Sequence, residues 1–372
     1  MRIALVLAGP YPDVRGSQVL VRHLADGIAS RGHAVHLVTY GDVGPLPPGP
    51  WAGRLARDVA LVPRLWRVVR REAVDVLHAH NYEAAIAALV VGRLTGRPVV
   101  YHGHAVLADE LPTYFRARLA RRLAAAIGRL LDAHVPRRAD FCIAVSEALG
   151  ATLLGRGVVA SGLVCIPPAP APGDAGRAPR TQASSGLVCY AGNLDGYQNL
   201  ELLLRSFARV RARVPGARLV IATHAVPVAA LAAPPDGVEI VRAASYDDVC
   251  ARLDAADVAV CPRTERSGFP MKLLNYMAAG KAIVASAGSA KGLRDGVTAR
   301  VVPDGDEEAF AAAVVELLRD AGARARIGAA ARAAVEDPRA WEDVLDRIES
   351  VYNLVLARQA SPAQIPLLSR ST

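Results

Sequence analysis

Aromatic residues are scarce in this chain. Three Trp, ten Tyr and five Phe make 5% of 372 residues, while hydrophobic residues together make 52%. The apolar content is therefore mostly aliphatic, which suits helices layered on sheet. Cysteine is scarcer still, with five residues, Cys142, Cys165, Cys189, Cys250 and Cys261. None shows Cys-x-x-Cys spacing, which excludes zinc-ribbon and thioredoxin-type motifs. They read as buried free thiols of a cytosolic protein. No His/Cys grouping has metal-ligand spacing in the sequence, so no metal is expected. No stretch reaches the roughly 18 uninterrupted apolar residues of a membrane span. Residues 1–8 are apolar but too short for a signal segment, and Pro10 and Pro12 follow at once, so they read as a first buried strand. The pattern Gly-x-Gly-x-x-Gly is absent, which counts against a dehydrogenase. Zinc-finger, RNP-like aromatic and helix-turn-helix signatures are absent too, which counts against nucleic acid. Acidic charge is in deficit, and the net charge is +9. Such an excess draws an anionic partner, such as a nucleotide diphosphate or a membrane surface, or reflects a plain bias toward arginine.

At 372 residues the chain exceeds one ordinary core and suits two domains. It is organised around residues 267–281, Ser-Gly-Phe-Pro-Met-Lys-Leu-Leu-Asn-Tyr-Met-Ala-Ala-Gly-Lys. Pro270 suits the first turn of a helix, and Gly280 the left-handed position just past its end. Strand-like runs flank the stretch at 258–261 and 282–285. Strand, glycine loop, short helix and strand form a βαβ unit. It would set backbone N–H groups near Met271 and Lys272 at a helix start, where phosphate or sugar oxygens are favoured. Asn275 lies one turn further, and its amide can donate to and accept from hydroxyl groups. The plainer reading is a helix that only packs on its sheet.

The chain opens with a strand at 2–8, a helix predicted from about residue 19 to 30, and a strand at 34–39, which is a Rossmann-like start. Residues 51–72 hold Arg54, Arg57, Arg64, Arg67, Arg70 and Arg71. Pro63 predicts a split into two short helices with a solvated basic face. Asp75-Val76-Leu77-His78-Ala79-His80 reads as a strand and its carboxyl-end loop. The strand at 98–101 then delivers His102-Gly103-His104 to the edge where open α/β sheets hold ligands. Asp109 and Glu110 follow, either as hydroxyl ligands or as a lead into the next helix. Residues 114–131 place Phe115, Leu119, Leu123, Ile127 and Leu130 at helical spacing among Arg116, Arg118, Arg121, Arg122 and Arg129. Such a helix lies on an anionic membrane, or packs its apolar face on the domain and leaves the arginines in water. Proline-rich residues 168–185 read as a linker, and residues 359–372 as a disordered tail.

Residues 267–281 resemble the donor-binding signature of the retaining glycosyltransferases of family four, the group 1 type, which have the GT-B fold. Gly268, Phe269, Pro270, Ala278, Ala279, Gly280 and Lys281 match that pattern. Its two glutamates are replaced by Ser267 and Asn275. Asn275 can still bind a ribose diol without charge, whereas Ser267 is a weaker substitute for the residue that helps hold the donor sugar. Gly16 and Ser17 stand where the family's paired glycines approach the donor phosphate. His102 corresponds to the histidine that the family presents at the donor sugar, which makes it the catalytic candidate. His104, Asp109 and Glu110 are acceptor-side candidates. Asn193 and Gln198 occupy the second domain's glycine-rich loop, where the family's basic diphosphate clamp is missing. The diphosphate would then meet Arg263 and Lys272, since a buried diphosphate without countercharge is expensive.

The resemblance spans residues 1–357 and implies an α/β chain of two Rossmann-like domains facing a central cleft. Residues 1–167 form the acceptor-side domain and 186–336 the nucleotide-sugar-binding domain. Residues 337–358 form a helix that crosses back to the first domain. The implied activity is transfer of a sugar from a nucleotide-diphosphate sugar to a hydroxyl of a small-molecule, glycan or lipid-linked acceptor. It proceeds with retention, without metal or cofactor, and without nucleic acid. The place is the cytoplasm or the inner face of an anionic membrane. The two missing glutamates keep a non-catalytic nucleotide-sugar-binding subunit open as an alternative. A GT-B sugar-nucleotide epimerase is the other, and the loss of both carboxylates counts against it.

Overall fold

The computed structural model describes residues 1–11, 16–44, 46, 49–50, 52–171, 185–224, 234–243, 246–265, 268–337 and 339–360. Most of the expected linker, Ser267 and the tail from 361 lie outside the described residues.

The first half runs β1 (Arg2–Leu7), α1 (Gly16–Ser30), β2 (Ala34–Val38), α2 (Ala52–Arg71), β3 (Val76–His80), α3 (Asn81–Thr95), β4 (Val99–Gly103), α4 (Leu107–Glu110), α5 (Arg118–His134), β5 (Phe141–Ala144), α6 (Glu147–Gly155) and β6 (Leu163–Cys165). The second half runs β7 (Leu187–Ala191), α7 (Leu200–Arg213), β8 (Arg218–Thr223), β9 (Val238–Arg242), α8 (Tyr246–Ala255), β10 (Val258–Cys261), α9 (Lys272–Ala278), β11 (Ala282–Ser286), β12 (Arg300–Val302), α10 (Glu307–Arg319), α11 (Ala321–Ala333) and α12 (Ala340–Ala360). Two six-stranded sheets result, ordered β2-β1-β3-β4-β5-β6 and β12-β11-β10-β7-β8-β9. All recorded pairings are parallel. Strands buried on both faces explain the continuous Ala/Val/Ile/Leu runs. Strand order reverses between β1 and β3 and again between β7 and β10, and such switch points open crevices at the carboxyl ends of strands.

The helix α12 packs on the first sheet's outer layer. Its Trp341, Leu345, Ile348 and Tyr352 join Ile3, Leu5, Leu24 and Ile28 in one buried cluster. Gly27 of α1 makes room, because a Cβ there would stand 2.9 Å from Leu345 Cδ1. Among the described residues, no helix is long and apolar enough to cross a membrane.

Two local expectations need correction, and at α5 one of two alternatives is decided. The helix α1 starts at Gly16, earlier than the periodicity suggests. Pro63 does not split α2, which runs through it as one helix. Pro63 lies on the exposed side while Leu61 and Leu65 are buried. The carbonyl that loses its partner therefore faces water, and the buried stripe holds the helix together. On α5 the buried residues are Ala124, Gly128 and Asp132, and the leucine stripe faces outward. Gly128 sits so close to α4 that a Cβ would lie 2.5 Å from Ala108 Cα, so only a small-residue face fits there.

Candidate active site

A cleft of about 300 Å³ lies between the carboxyl edges of the two sheets. The first domain contributes Gly16 and Ser17 at the start of α1, His104 just past β4, and Glu110 in α4. The second contributes Asn193, Gln198 and Arg263 from loops after β7 and β10, then Phe269, Pro270, Met271, Lys272 and Asn275. The structure thus gathers most of the residues singled out in the sequence. It leaves His102, Asp109 and Gly268 out of the lining.

The unit around α9 forms as its punctuation dictates. Gly280 has φ 61°, and Lys281 N donates to Tyr276 O at 3.0 Å, closing the helix end. Lys281 is turned away from the cleft: its Nζ donates to Asp254 O at 2.8 Å and Ala256 O at 3.1 Å, ending α8. Gly268 is a glycine because a Cβ there would lie 3.0 Å from His104 O in the other domain, and closer still to the Arg263 guanidinium. Glu265 takes no place in the cleft. Its carboxylate accepts from Gly268 N at 2.9 Å and pairs with Arg263.

Two cations therefore differ in what surrounds them. Arg263 is buried, paired with Glu265, and lies 5.0 Å from the centre of the Tyr197 ring. Lys272 donates to Gln198 Oε1 at 2.8 Å and lies 3.9 Å from the centre of the Tyr190 ring. Burial pulls its pKa down to about 7, with Arg263 pushing the same way and Cys261 and Asp195 opposing. Gly192 gives it room, since a Cβ there would stand 2.9 Å from Nζ. From the facing helix, Lys272 thus reaches the loop after β7 and is held by its Gln198.

The two candidate histidines differ in depth. His102 is 2% exposed and lies behind the cleft wall, within the ladder, where it pairs opposite His80. Of His102 and His104, it is His104 that lines the cleft, because β4 ends at Gly103 and the next side chain on that face projects past the sheet edge. Behind His104 stand His80, His102 and His78. His80 Nδ1 lies 3.0 Å from His104 Nε2, His78 Nε2 lies 3.1 Å from His102 Nδ1, and His78 Nδ1 lies 2.6 Å from the Tyr352 hydroxyl of α12. Among the described residues, His78, His80 and His102 are the one group whose ligand atoms approach within 4.8 Å of one another, a proximity created by neighbouring strands rather than sequence spacing. Their rings stack, at 2° for His78 with His102 and 28° for His78 with His80. Burial lowers the pKa of all four, to about 3 for His78 and about 4 for His104, so they stand as neutral imidazoles.

On the first-domain wall, Glu110 accepts from the Tyr114 hydroxyl at 3.0 Å, and burial raises its pKa against the pull of Arg263. Asp109 turns away, into a separate depression with Thr113, Gly196 and Thr264. Arg54 was missed, having been read with the solvated arginines of α2. It lines the cleft and pairs with Glu83 at 3.1 Å.

Solved structures with the same arrangement include sucrose-phosphate synthase from Thermosynechococcus elongatus, with a TM-score of 0.78 and 18% identity over 96% of this chain and 99% of that one. Anabaena HepE in complex with UDP-glucose matches with a TM-score of 0.74 and 17% identity over 95% of this chain and 100% of that one. Among characterised sequences, the phosphatidyl-myo-inositol mannosyltransferase of Mycobacterium leprae (strain TN) is 28% identical over 98% of this chain and 100% of its own length. The D-inositol 3-phosphate glycosyltransferase of Salinispora tropica is 25% identical over 93% of this chain and 82% of its own. The family described as Glycosyltransferase Family 4 matches residues 14–169, and Glycosyl transferases group 1 matches residues 185–320. Between them the two matches take in most of both domains, and the chain belongs to the group 1, family 4 glycosyltransferases of GT-B fold.

Proposed function

We propose that this glycosyltransferase moves a sugar from a nucleotide-diphosphate sugar to a hydroxyl acceptor, with retention of anomeric configuration and without a metal ion. One observation carries the reading. Lys272, tied to Gln198, and His104 face one cleft from opposite domains. Lys272 supplies the diphosphate with the countercharge that the loop after β7 lacks, with Arg263 behind it. Asn275 binds the ribose diol, Gly16 and Ser17 approach the phosphate, and His104, which lines the cleft, stands at the donor sugar. A cation already set against the leaving diphosphate supports a metal-free reaction. The resemblance to a retaining family supports a front-face attack.

The acceptor sits on the first domain beside Glu110 and Tyr114. The relatives named for phosphatidyl-myo-inositol and D-inositol 3-phosphate support a polyol acceptor, lipid-linked or phosphorylated. The outward leucines and arginines of α5 support peripheral contact with an anionic membrane. Replacement of both signature glutamates favours a second reading, a subunit that binds the nucleotide sugar and transfers nothing.

Calorimetry with UDP, GDP, ADP and dTDP, in the presence of a chelator and on Lys272→Ala, tests the donor site. Tight binding of one nucleotide, weakened in the variant, is the expected result. The matching sugar nucleotides then go to a transfer assay with inositol acceptors, and NMR of the product anomeric proton reads retention. Binding without transfer would favour the non-catalytic reading, and no binding would remove both.

A further inference from the structure

His104 is the one member of the histidine quartet that lines the cleft, and its Nε2 faces His80 Nδ1 at 3.0 Å. Two neutral imidazoles in such contact share one proton between these nitrogens, and each ring holds one proton in all. There are two ways to arrange this. In the first, His80 Nδ1–H donates to a bare His104 Nε2. The proton of His104 is then on Nδ1, the nitrogen turned away from His80. What remains unsatisfied is the bare Nε2 of His80, which is buried with no partner among the described residues. In the second, His104 Nε2–H donates to His80 Nδ1, and the proton of His80 sits on that same buried Nε2. The second arrangement buries an N–H with no acceptor, which is the rarer and costlier outcome.

The rest of the quartet follows the same logic. The Nε2 of His102 is also buried and unpartnered, so its proton belongs on Nδ1, donated to His78 Nε2. The proton of His78 is then on Nδ1, donated to the Tyr352 oxygen. All four rings thus take one form with no buried ring N–H left over, and the donor left without an acceptor in this chain of bonds is the Tyr352 O–H.

We propose that His80 is a positioning residue that fixes His104 as its Nδ1–H form, a neutral hydrogen-bond donor presented to the cleft. In that form His104 has no lone pair there with which to take a proton. It holds an oxygen of the donor sugar in place and does not act as the base that deprotonates the acceptor hydroxyl. This role rests on the donor-site reading above, whereas the proton assignment does not.

The test uses the full chain labelled with ¹⁵N at its nine histidines. Long-range ¹H–¹⁵N correlations distinguish a protonated from a bare ring nitrogen, and His104→Gln assigns the signals of residue 104. The expected pattern for His104 is a protonated Nδ1 and a bare Nε2, and the reverse overturns the proposal. His80→Phe keeps a ring but removes the donor. It should convert the His104 pattern to a mixture of forms and lower kcat about tenfold, with donor KM nearly unchanged. His80→Asn, whose amide nitrogen stands near the lost Nδ1, should restore most of both. An unchanged His104 pattern in His80→Phe would also overturn the proposal. Should no nucleotide bind while the wild-type pattern is as expected, the donor reading falls and the proton assignment stands.

Discussion

A Cβ on Gly16 would stand 3.1 Å from Met271 Cγ, across the cleft from one domain to the other. Met271 itself packs against the first domain's core cluster, so the start of α1 and the start of α9 touch without spare room. Gly16→Ala should therefore hinder closure of the cleft rather than folding. We expect turnover to fall about fivefold to tenfold while stability changes by less than about 1 kcal/mol. Met271→Ala in the same chain should recover part of the loss, giving a coupling of about 0.5–3 kcal/mol in a double-mutant cycle. Additive effects would show that the contact has no bearing on activity.

The pH dependence of donor binding should report Lys272. Its pKa of about 7 lies below the ordinary lysine value of 10.5 because burial disfavours the charged form. A diphosphate favours that form and raises the pKa again in the complex. Below pH 7 the amine is already charged and binding needs no proton. Above pH 7 binding must take one up, so affinity falls by up to about tenfold per pH unit until the pKa of the complex is reached. Calorimetry at pH 8 in buffers of different ionisation enthalpy should show close to one proton taken up. In Lys272→Met both the uptake and the pH slope should vanish. A flat profile in the wild type would mean that Lys272 does not meet the phosphates.

Asn275 stands where the family pattern has its second glutamate, and it lines the cleft. If it holds the ribose diol, Asn275→Ala should weaken nucleoside-diphosphate binding about fivefold to thirtyfold, the value of one or two hydrogen bonds. Asn275→Glu should bind at least as tightly as the wild type, because charge-assisted hydrogen bonds are the stronger. Weaker binding by Asn275→Glu than by Asn275→Ala would place the ribose elsewhere.

These residues also mark where the sequence could be read and where it could not. Pro270 and Gly280 act through their own backbone chemistry, so the helix between them was legible with no knowledge of its neighbours. The meeting of Lys272 with Gln198 was not, because 74 residues separate them and the topology of the second sheet brings them together. His102 and His104 could be told apart only by knowing that β4 ends at Gly103. The contact of His80 with His104 depends on β3 lying beside β4. Arg54 looked like its solvated neighbours because helical periodicity does not say which end of a helix abuts a cleft. The outward leucines of α5 depart from the usual rule that the apolar face packs inward, and only the fit of Gly128 against Ala108 reveals it.

The helix α12 is tied to the quartet by the Tyr352 hydroxyl, 2.6 Å from His78 Nδ1 and fully buried. Tyr352→Phe removes the partner and leaves a buried imidazole nitrogen unsatisfied. That should cost about 1–3 kcal/mol, read as a lower midpoint in urea. His78→Phe in the same chain removes the other polar group but strips the buried His102 Nδ1–H of its acceptor, so it should not recover the loss. A midpoint unchanged in Tyr352→Phe would mean that the hydroxyl contributes nothing to holding α12.

The face of α5 yields the last prediction. Leu119 is 79% exposed and Leu123 62%, with Ile127 and Leu130 beside them and Arg116, Arg118, Arg121, Arg122 and Arg129 exposed on the flanks. Asp132, on the buried side of the same helix, accepts from Leu107 N at 2.9 Å and Ala108 N at 3.1 Å, so α5 carries α4 and its Glu110. A membrane bound through the leucines would therefore lie one helix away from α4 and the cleft. Vesicles of phosphatidylcholine with phosphatidylglycerol should float the protein, and vesicles of phosphatidylcholine alone should float much less. Each arginine near the surface contributes about 1 kcal/mol, so raising the salt should release it. Leu119→Ser with Leu123→Ser should abolish flotation and leave nucleotide binding intact, because neither side chain lines the cleft. Equal flotation by the doubly substituted chain would assign the membrane contact to another surface. Concentration-dependent self-association that the same substitutions remove, without any flotation, would instead make this face a contact between copies of the chain.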